Sequence, residues 1–201
     1  MEILFRKDKM KKNKNHLYHI VKPIYKIFLT LLYRPTIIGK ENIPEEGAVI
    51  FASNHKRAFD PLLVLISTKR QVCYLAKSDL FKLVHGWIFR KIGMIPVYRD
   101  KQNAGAIIEA EKVLEEGGAI GVFPEGKRNR TKEDLLPFRK GAVRLAKKTK
   151  TPIIPCAITG KYRLFRKGIK LEIGKPIQIE HLEIEEANEL LQKEIIKMLR
   201  K

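Results

Sequence analysis

From residue 48 onward the chain alternates short, apolar, largely β-branched runs with stretches whose apolar residues recur at helical spacing. The runs are AVIFAS at 48–53, VCYLA at 72–76, MIPVY at 94–98, AIGVF at 119–123, IIPCAIT at 153–159 and IKLEI at 169–173. Runs of this length and composition are strand signals, and the segments between them, 61–67, 79–91, 101–116 and 138–149, with 183–200 at the end, carry helical periodicity. Such alternation predicts an α/β domain with a mixed, largely parallel sheet covered by helices. Gly117-Gly118 ends the third of these helices and opens the next strand. No internal repeat interrupts the pattern. A chain of 201 residues suits one domain with a substantial core, placed here at 35–201, behind a distinct segment at 1–34.

That leading segment is basic and then amphipathic. Residues 1–16 carry Arg6, Lys7, Lys9, Lys11, Lys12 and Lys14 against Glu2 and Asp8. In LYHIVKPIYKIFLTLLYR at 17–34, Ile20, Ile24, Ile27 and Leu31 recur at helical spacing, with Lys22 and Lys26 on another face. A bilayer span needs about 20 predominantly apolar residues, and Lys22, Pro23 and Lys26 interrupt this run. The expectation is a helix starting near Pro23 that lies in a lipid interface, its lysines toward anionic headgroups, at the cytoplasmic face of the cell membrane. The alternative is a helix packed on the domain with a solvated basic edge. A net charge of +19 and a pI near 10.0 favour anionic partners, without choosing among nucleic acid, lipid, phosphorylated metabolites and an acidic carrier protein. Cys73 and Cys156 sit in apolar runs and read as buried, reduced thiols. No secretory signal pattern opens the sequence.

The segment NHKRAFDP, 54–61, is the first place where chemistry is expected. His55 and Asp60 lie five positions apart where a strand runs out into a loop, a location that fixes backbone and leaves side chains reachable. A neutral imidazole steered by a carboxylate is a general base. Asp60 directly before Pro61 is also an ordinary helix start, with Asp as N-cap and Pro in the first turn. A carboxylate has lone pairs enough for both tasks, so Asp60 is expected to cap and to steer.

Three further segments stand at ends of predicted strands. GMIPVYR at 93–99 delivers Arg99, FPEGKRNR at 123–130 turns through Glu125 and Gly126 into Lys127, Arg128 and Arg130, and TPIIPCAI at 151–158 is a proline-punctuated strand entry. A glycine turn followed by arginines suits a phosphate, because the guanidinium fork matches its oxygens and glycine lets the backbone approach. A charge run of this kind is otherwise a solvated loop. The chain has no G-x-S-x-G elbow, no phosphate-binding Walker loop, no G-x-G-x-x-G fingerprint and no metal-ligand spacing. What remains is a histidine base, a carboxylate and anion-holding cations: the parts a hydroxyl needs to attack an activated carbonyl without cofactor or metal.

Those residues carry a family resemblance. NHKRAFDP resembles the H-x4-D motif of the glycerolipid acyltransferases, specifically the 1-acyl-sn-glycerol-3-phosphate acyltransferases; GMIPVYR resembles their second block, FPEGKRNR their F-P-E-G-T-R block and TPIIPCAI their fourth. The blocks occur in family order across residues 35–175, with Lys127 where the family usually has threonine. The resemblance implies transfer of a fatty acyl group from a thioester, on acyl carrier protein or coenzyme A, to lysophosphatidic acid, giving phosphatidic acid, with the thioester as co-substrate and no covalent acyl-enzyme. It implies His55 and Asp60 as catalytic residues, Arg99 and Arg128 for the acceptor phosphate, and Glu125 and Gly126 as the turn holding the glycerol moiety. Asn54 would place His55 or stabilise the oxyanion. The same chemistry on glycerol 3-phosphate or a lyso-aminolipid is the neighbouring alternative. A nucleic-acid-binding module is the rival from another class, and neither zinc-finger nor RNA-recognition signatures support it.

Overall fold

A computed structural model of the chain describes residues 16–82, 86–98 and 104–201. Among these residues the elements are, in chain order, α1 (His16–Tyr33), β1 (Thr36–Ile38), β2 (Val49–Ser53), α2 (Asp60–Ser67), β3 (Val72–Lys77), α3 (Gly86–Lys91), β4 (Ile95–Val97), α4 (Ala104–Glu115), β5 (Ala119–Val122), α5 (Gly141–Thr149), β6 (Ile153–Gly160), β7 (Ile169–Ile173) and α6 (Ile184–Leu199). The strands form one sheet in the order β1-β7-β6-β2-β5-β3-β4. Among the described strands every pairing is parallel except that of β6 with β7.

Period-two alternation explains why the central strands are apolar throughout. In β2, Ile50 and Ala52 point to one face, where they meet α4, α5 and α6 through Ala110, Leu114, Val143, Ala146, Leu191 and Ile195. Val49 and Phe51 point to the other face and pack with Leu63 and Val64 of α2. Both faces are covered, as a parallel sheet requires. All parallel strands therefore leave their carboxyl ends on one edge, and β2 and β5 run out there side by side, with Ala52 paired to Val122.

The expected strands appear within a residue or so of their sequence limits, and the differences have local causes. β1 went unseen because it is a three-residue strip, Thr-Ile-Ile, at the sheet edge, supported by Lys170–Glu172 of β7 and not by its own pattern. The expected helix 79–91 is instead a 3-10 turn at Ser78–Lys82 followed by α3. Helix 138–149 begins only at Gly141, because the Arg139 N–H is donated to Pro124 O (2.8 Å) and that hydrogen bond draws the preceding residues toward the turn after β5. Residues 101–103, the expected start of α4, lie outside the described residues. At α6, Glu183 and Glu186 form a reciprocal capping box.

α1 begins at His16, not near Pro23, and carries Pro23 in its interior. Its inner face is anchored: Leu29 is fully buried, and the Tyr18 hydroxyl donates to Arg70 O (2.9 Å) and accepts from the Val72 N–H (3.3 Å). Lys22 also turns inward, donating to Arg70 O (3.0 Å) with its ammonium 5.1 Å from the Tyr18 ring centroid. It therefore does not point outward with Lys26 as the sequence suggested. Ile20, Ile24 and Ile27 are each 60% exposed and Leu31 64%. The helix is docked on the domain with its apolar stripe outside. Among the described residues no helix is long and apolar enough to cross a membrane.

Burial of Lys22, reinforced by Lys26, pushes its ammonium down from 10.5 to about 8. The folded state thus loses this proton before the unfolded state does, so this group makes stability rise as pH climbs from about 8 through 10.5. Lys22→Met removes that rise. Urea unfolding across this range should show a steeper pH slope for the parent chain, and equal slopes would contradict the assignment.

Candidate active site

β2 ends at Ser53, and the next residue locks the strand end to its neighbour. Asn54 is fully buried and exchanges two hydrogen bonds with one residue of β6: its amide donates to Ile158 O (2.9 Å) and its side-chain oxygen accepts from the Ile158 N–H (2.7 Å). Both amide groups are thereby used. Fully buried and bonded to β6 through both ends of its amide, Asn54 fixes the strand end from which His55 follows.

His55 follows at the mouth of the sheet. Its backbone N–H donates to Glu125 Oε1 (2.7 Å), and its carbonyl accepts from the Asn129 N–H (2.6 Å). Its ring stacks on Phe123 with centroids 3.9 Å apart and planes 16° apart, and Phe123 stacks in turn against Tyr74 at 5.5 Å. Nδ1 faces Asp60 Oδ2 at 3.0 Å, which assigns the ring proton to Nδ1 and leaves the Nε2 lone pair free. The ring keeps 16% of its exposure, enough for contact with a reactant.

Asp60 is fully buried, and its carboxylate looks backward along the chain. Oδ2 accepts from the N–H groups of Lys56 (2.7 Å) and Arg57 (2.6 Å) as well as facing His55, while Oδ1 accepts from the Tyr162 hydroxyl (2.9 Å). The expected N-cap role is therefore not present. α2 begins at Asp60 itself with no side-chain cap bond, and Pro61, having no N–H, removes one donor that a cap would serve. Asp60 closes the turn before the helix and steers the imidazole.

Glu125 is the second buried carboxylate, 3% exposed. Its oxygens accept from the His55 N–H and from the Leu136 N–H (2.8 Å), tying the turn after β2 to both ends of the turn after β5. Burial pushes its carboxyl upward, and the two backbone donors oppose that. Gly126 adopts φ 69°, and a Cβ there would lie 2.8 Å from Arg139 Nε. The glycine thus lets Arg139 lie over the turn. Beyond it, Lys127, Arg128 and Arg130, with Thr131 and Leu136, line a cleft of about 360 Å³. Buried Asn129 alternates with its exposed basic neighbours: its side-chain oxygen accepts from the Thr131 N–H (2.9 Å) and its amide donates to Glu133 O (3.0 Å). Arg99 lies outside the described residues.

The structure thus brings His55, Asp60, Glu125, Gly126 and Arg128 together at one edge. Sequence reasoning missed Phe123, Asn129, Arg139 and above all Tyr162, whose hydroxyl arrives from a loop 102 residues downstream. Burial, followed by the negative charge of Asp60, pushes the Tyr162 phenol well up, so it stays a donor. No motif announced it. For Asn129 the signal was present, a short polar residue inside a run of cations.

Glu125→Gln tests the bridge. A carboxylate accepts at both oxygens, whereas the amide of glutamine would set a donor against one of the two backbone N–H groups. The variant should unfold at lower urea, by about 1–3 kcal/mol, and an unchanged midpoint would show that those N–H groups pair elsewhere.

Comparison with known proteins assigns the chain to a family. The Acyltransferase family model matches residues 34–159. A 1-acyl-sn-glycerol-3-phosphate acyltransferase of Bacillus subtilis (strain 168) is 33% identical over 169 residues, 80% of this chain and 82% of that protein. One from Borreliella burgdorferi is 36% identical over 146 residues, 71% of this chain and 58% of that longer relative. The crystal structure of the 1-acyl-sn-glycerophosphate (LPA) acyltransferase PlsC from Thermotoga maritima superposes with a TM-score of 0.75 at 25% identity, covering 89% of this chain and 76% of that one. The matched segment runs through His55, Asp60 and the Glu125 turn, and the chain belongs to the acyltransferase family.

Proposed function

We propose that the chain is a 1-acyl-sn-glycerol-3-phosphate acyltransferase, moving a fatty acyl group from an acyl thioester to the free hydroxyl of lysophosphatidic acid to give phosphatidic acid. The observation that carries this is the His55–Asp60 contact at 3.0 Å, set beside a cleft of cations in a chain of this family. Nε2 of His55 takes the acceptor's hydroxyl proton as that oxygen forms a bond to the thioester carbonyl carbon. The tetrahedral intermediate collapses, the carbon–sulfur bond breaks, and the proton passes from the imidazolium to the departing thiolate. Asp60 stabilises the imidazolium, and Phe123 fixes the ring plane. No acyl-enzyme forms, and the thioester is the co-substrate in place of any bound cofactor.

Lys127, Arg128 and Arg130 hold the acceptor phosphate, with Glu125 and Gly126 setting their turn; Arg99 shares that role on the strength of the sequence resemblance alone. The donor is an acyl carrier protein, drawn by the basic surface, or coenzyme A, drawn through its phosphates. Both lipids live in a bilayer, so the exposed stripe of α1 rests on the anionic cytoplasmic face of the cell membrane. Specific nucleic-acid binding has no place in this reading.

His55→Ala should lower turnover of labelled acyl thioester and lysophosphatidic acid by about 100- to 10,000-fold. A folded variant with near-normal turnover would sink the mechanism, and a panel of acceptors that favours glycerol 3-phosphate or a lyso-aminolipid would reassign the substrate. Tyr162→Phe should cut kcat about tenfold and leave KM for both substrates unchanged, since it removes one charge-assisted hydrogen bond from Asp60 without touching either substrate.

A further inference from the structure

The connection between β6 and β7, KYRLFRKG at 161–168, is longer than an antiparallel turn requires, since about two residues suffice to close a hairpin. Its base is closed by the Lys161 N–H donating to Gly168 O (2.8 Å). At its tip Leu164 is 59% exposed and Phe165 63%, among the most exposed large apolar side chains described. Lys161, Arg163, Arg166 and Lys167 flank them and are all exposed.

The tip is held in this pose. Phe165 adopts φ 59°, a region that bulky residues rarely occupy, and its N–H donates to Leu32 O of α1 (2.5 Å). A phenylalanine kept outward at that backbone cost, with its main chain bonded to a helix, is not an incidental surface residue. The contact also places the tip at the carboxyl end of α1, where Leu31 is 64% exposed. Between tip and site, Tyr162 packs edge-on against Tyr33 at 5.3 Å, and Phe59 lies 6.0 Å from both Tyr33 and Tyr162.

We propose that the 161–168 loop is a second lipid contact: Leu164 and Phe165 enter the headgroup–acyl boundary of an anionic bilayer while the flanking cations engage lipid phosphates. Apolar residues ringed by Lys and Arg are complementary to that boundary and to no neutral aqueous partner. α1 alone leaves the domain free to roll about the helix axis. A contact beyond its end fixes the roll and turns the edge that carries His55 toward the surface from which the acceptor is drawn. This inference rests on the lipid acceptor assigned above.

The test uses the full chain. Trp87 is the single tryptophan, so Phe165→Trp in a Trp87→Phe background gives a reporter at the tip. Vesicles of phosphatidylglycerol and phosphatidylcholine with brominated acyl chains should shift its emission to the blue and quench it, more strongly with phosphatidylglycerol and less at high salt. An unquenched tryptophan on protein that cosediments with the vesicles overturns the proposal. In a parent background, Leu164→Ser with Phe165→Ser should weaken vesicle partitioning about tenfold or more. Turnover of vesicle-embedded acceptor should fall with it, while turnover of a short-chain acceptor free in solution stays unchanged. Equal turnover on vesicles would likewise overturn the proposal. If the parent chain fails to acylate even the soluble acceptor, the enzymatic reading fails, and quenching still decides the lipid contact. A response to purified acyl carrier protein and none to vesicles would make the loop a donor-docking site and refute the lipid assignment.

Discussion

A carboxylate with no exposure to water costs several kcal/mol unless donors surround it, and Asp60 is such a group. Its donors arrive from separate parts of the chain: two backbone N–H groups from the turn it closes, the imidazole at its start, and a phenol from beyond β6. Each is satisfied only when β2, α2 and the β6–β7 loop are in their native places. The geometry of the His55–Asp60 pair is therefore not added to the fold. Loss of any donor leaves a buried charge short of partners, so the site and the packing of this edge stand together. Glu125 extends the same logic, joining the turn after β2 to the turn after β5 through two backbone N–H groups.

What was legible in the sequence follows from range. β2, β5 and β6 declared themselves because a strand buried on both faces must be apolar at every position, a purely local pattern. His55 and Asp60 declared themselves because both lie within one turn of chain, and the basic loop because its charges are consecutive. The family's blocks were readable for the same reason. Pairings across the sheet were not readable. β1 exists through β7, Asn54 pairs with Ile158, and Tyr162 reaches Asp60 over a separation that no periodicity reports. Asp60 itself shows how a correct local pattern can mislead: Asp-Pro before an apolar run reads as a cap, and the helix does start there, but the carboxylate is drawn to stronger local donors behind it.

α1 shows a different kind of ambiguity. Its sequence allowed either a helix packed on the domain or one turned toward a lipid surface, and the structure has one face doing the former while the apolar stripe stays outside. Lys22 was the misleading residue, since a lysine beside an apolar stripe reads as outward, whereas a carbonyl and an aromatic ring on the inner side supply it with partners.

β7 is the one reversed neighbour among the described strand pairs. In a wholly parallel sheet, the chain leaving β6 would have to cross to the opposite edge before re-entering, through a longer connection. Because β7 runs back, the chain leaves and re-enters at the same edge, and the intervening loop is pinned at both ends. A pinned loop loses less entropy on becoming fixed than a free one does. The departure from parallel order thus lets the sheet present a preset hydroxyl to Asp60 from residues that lie past the end of the family-matched segment, at position 159.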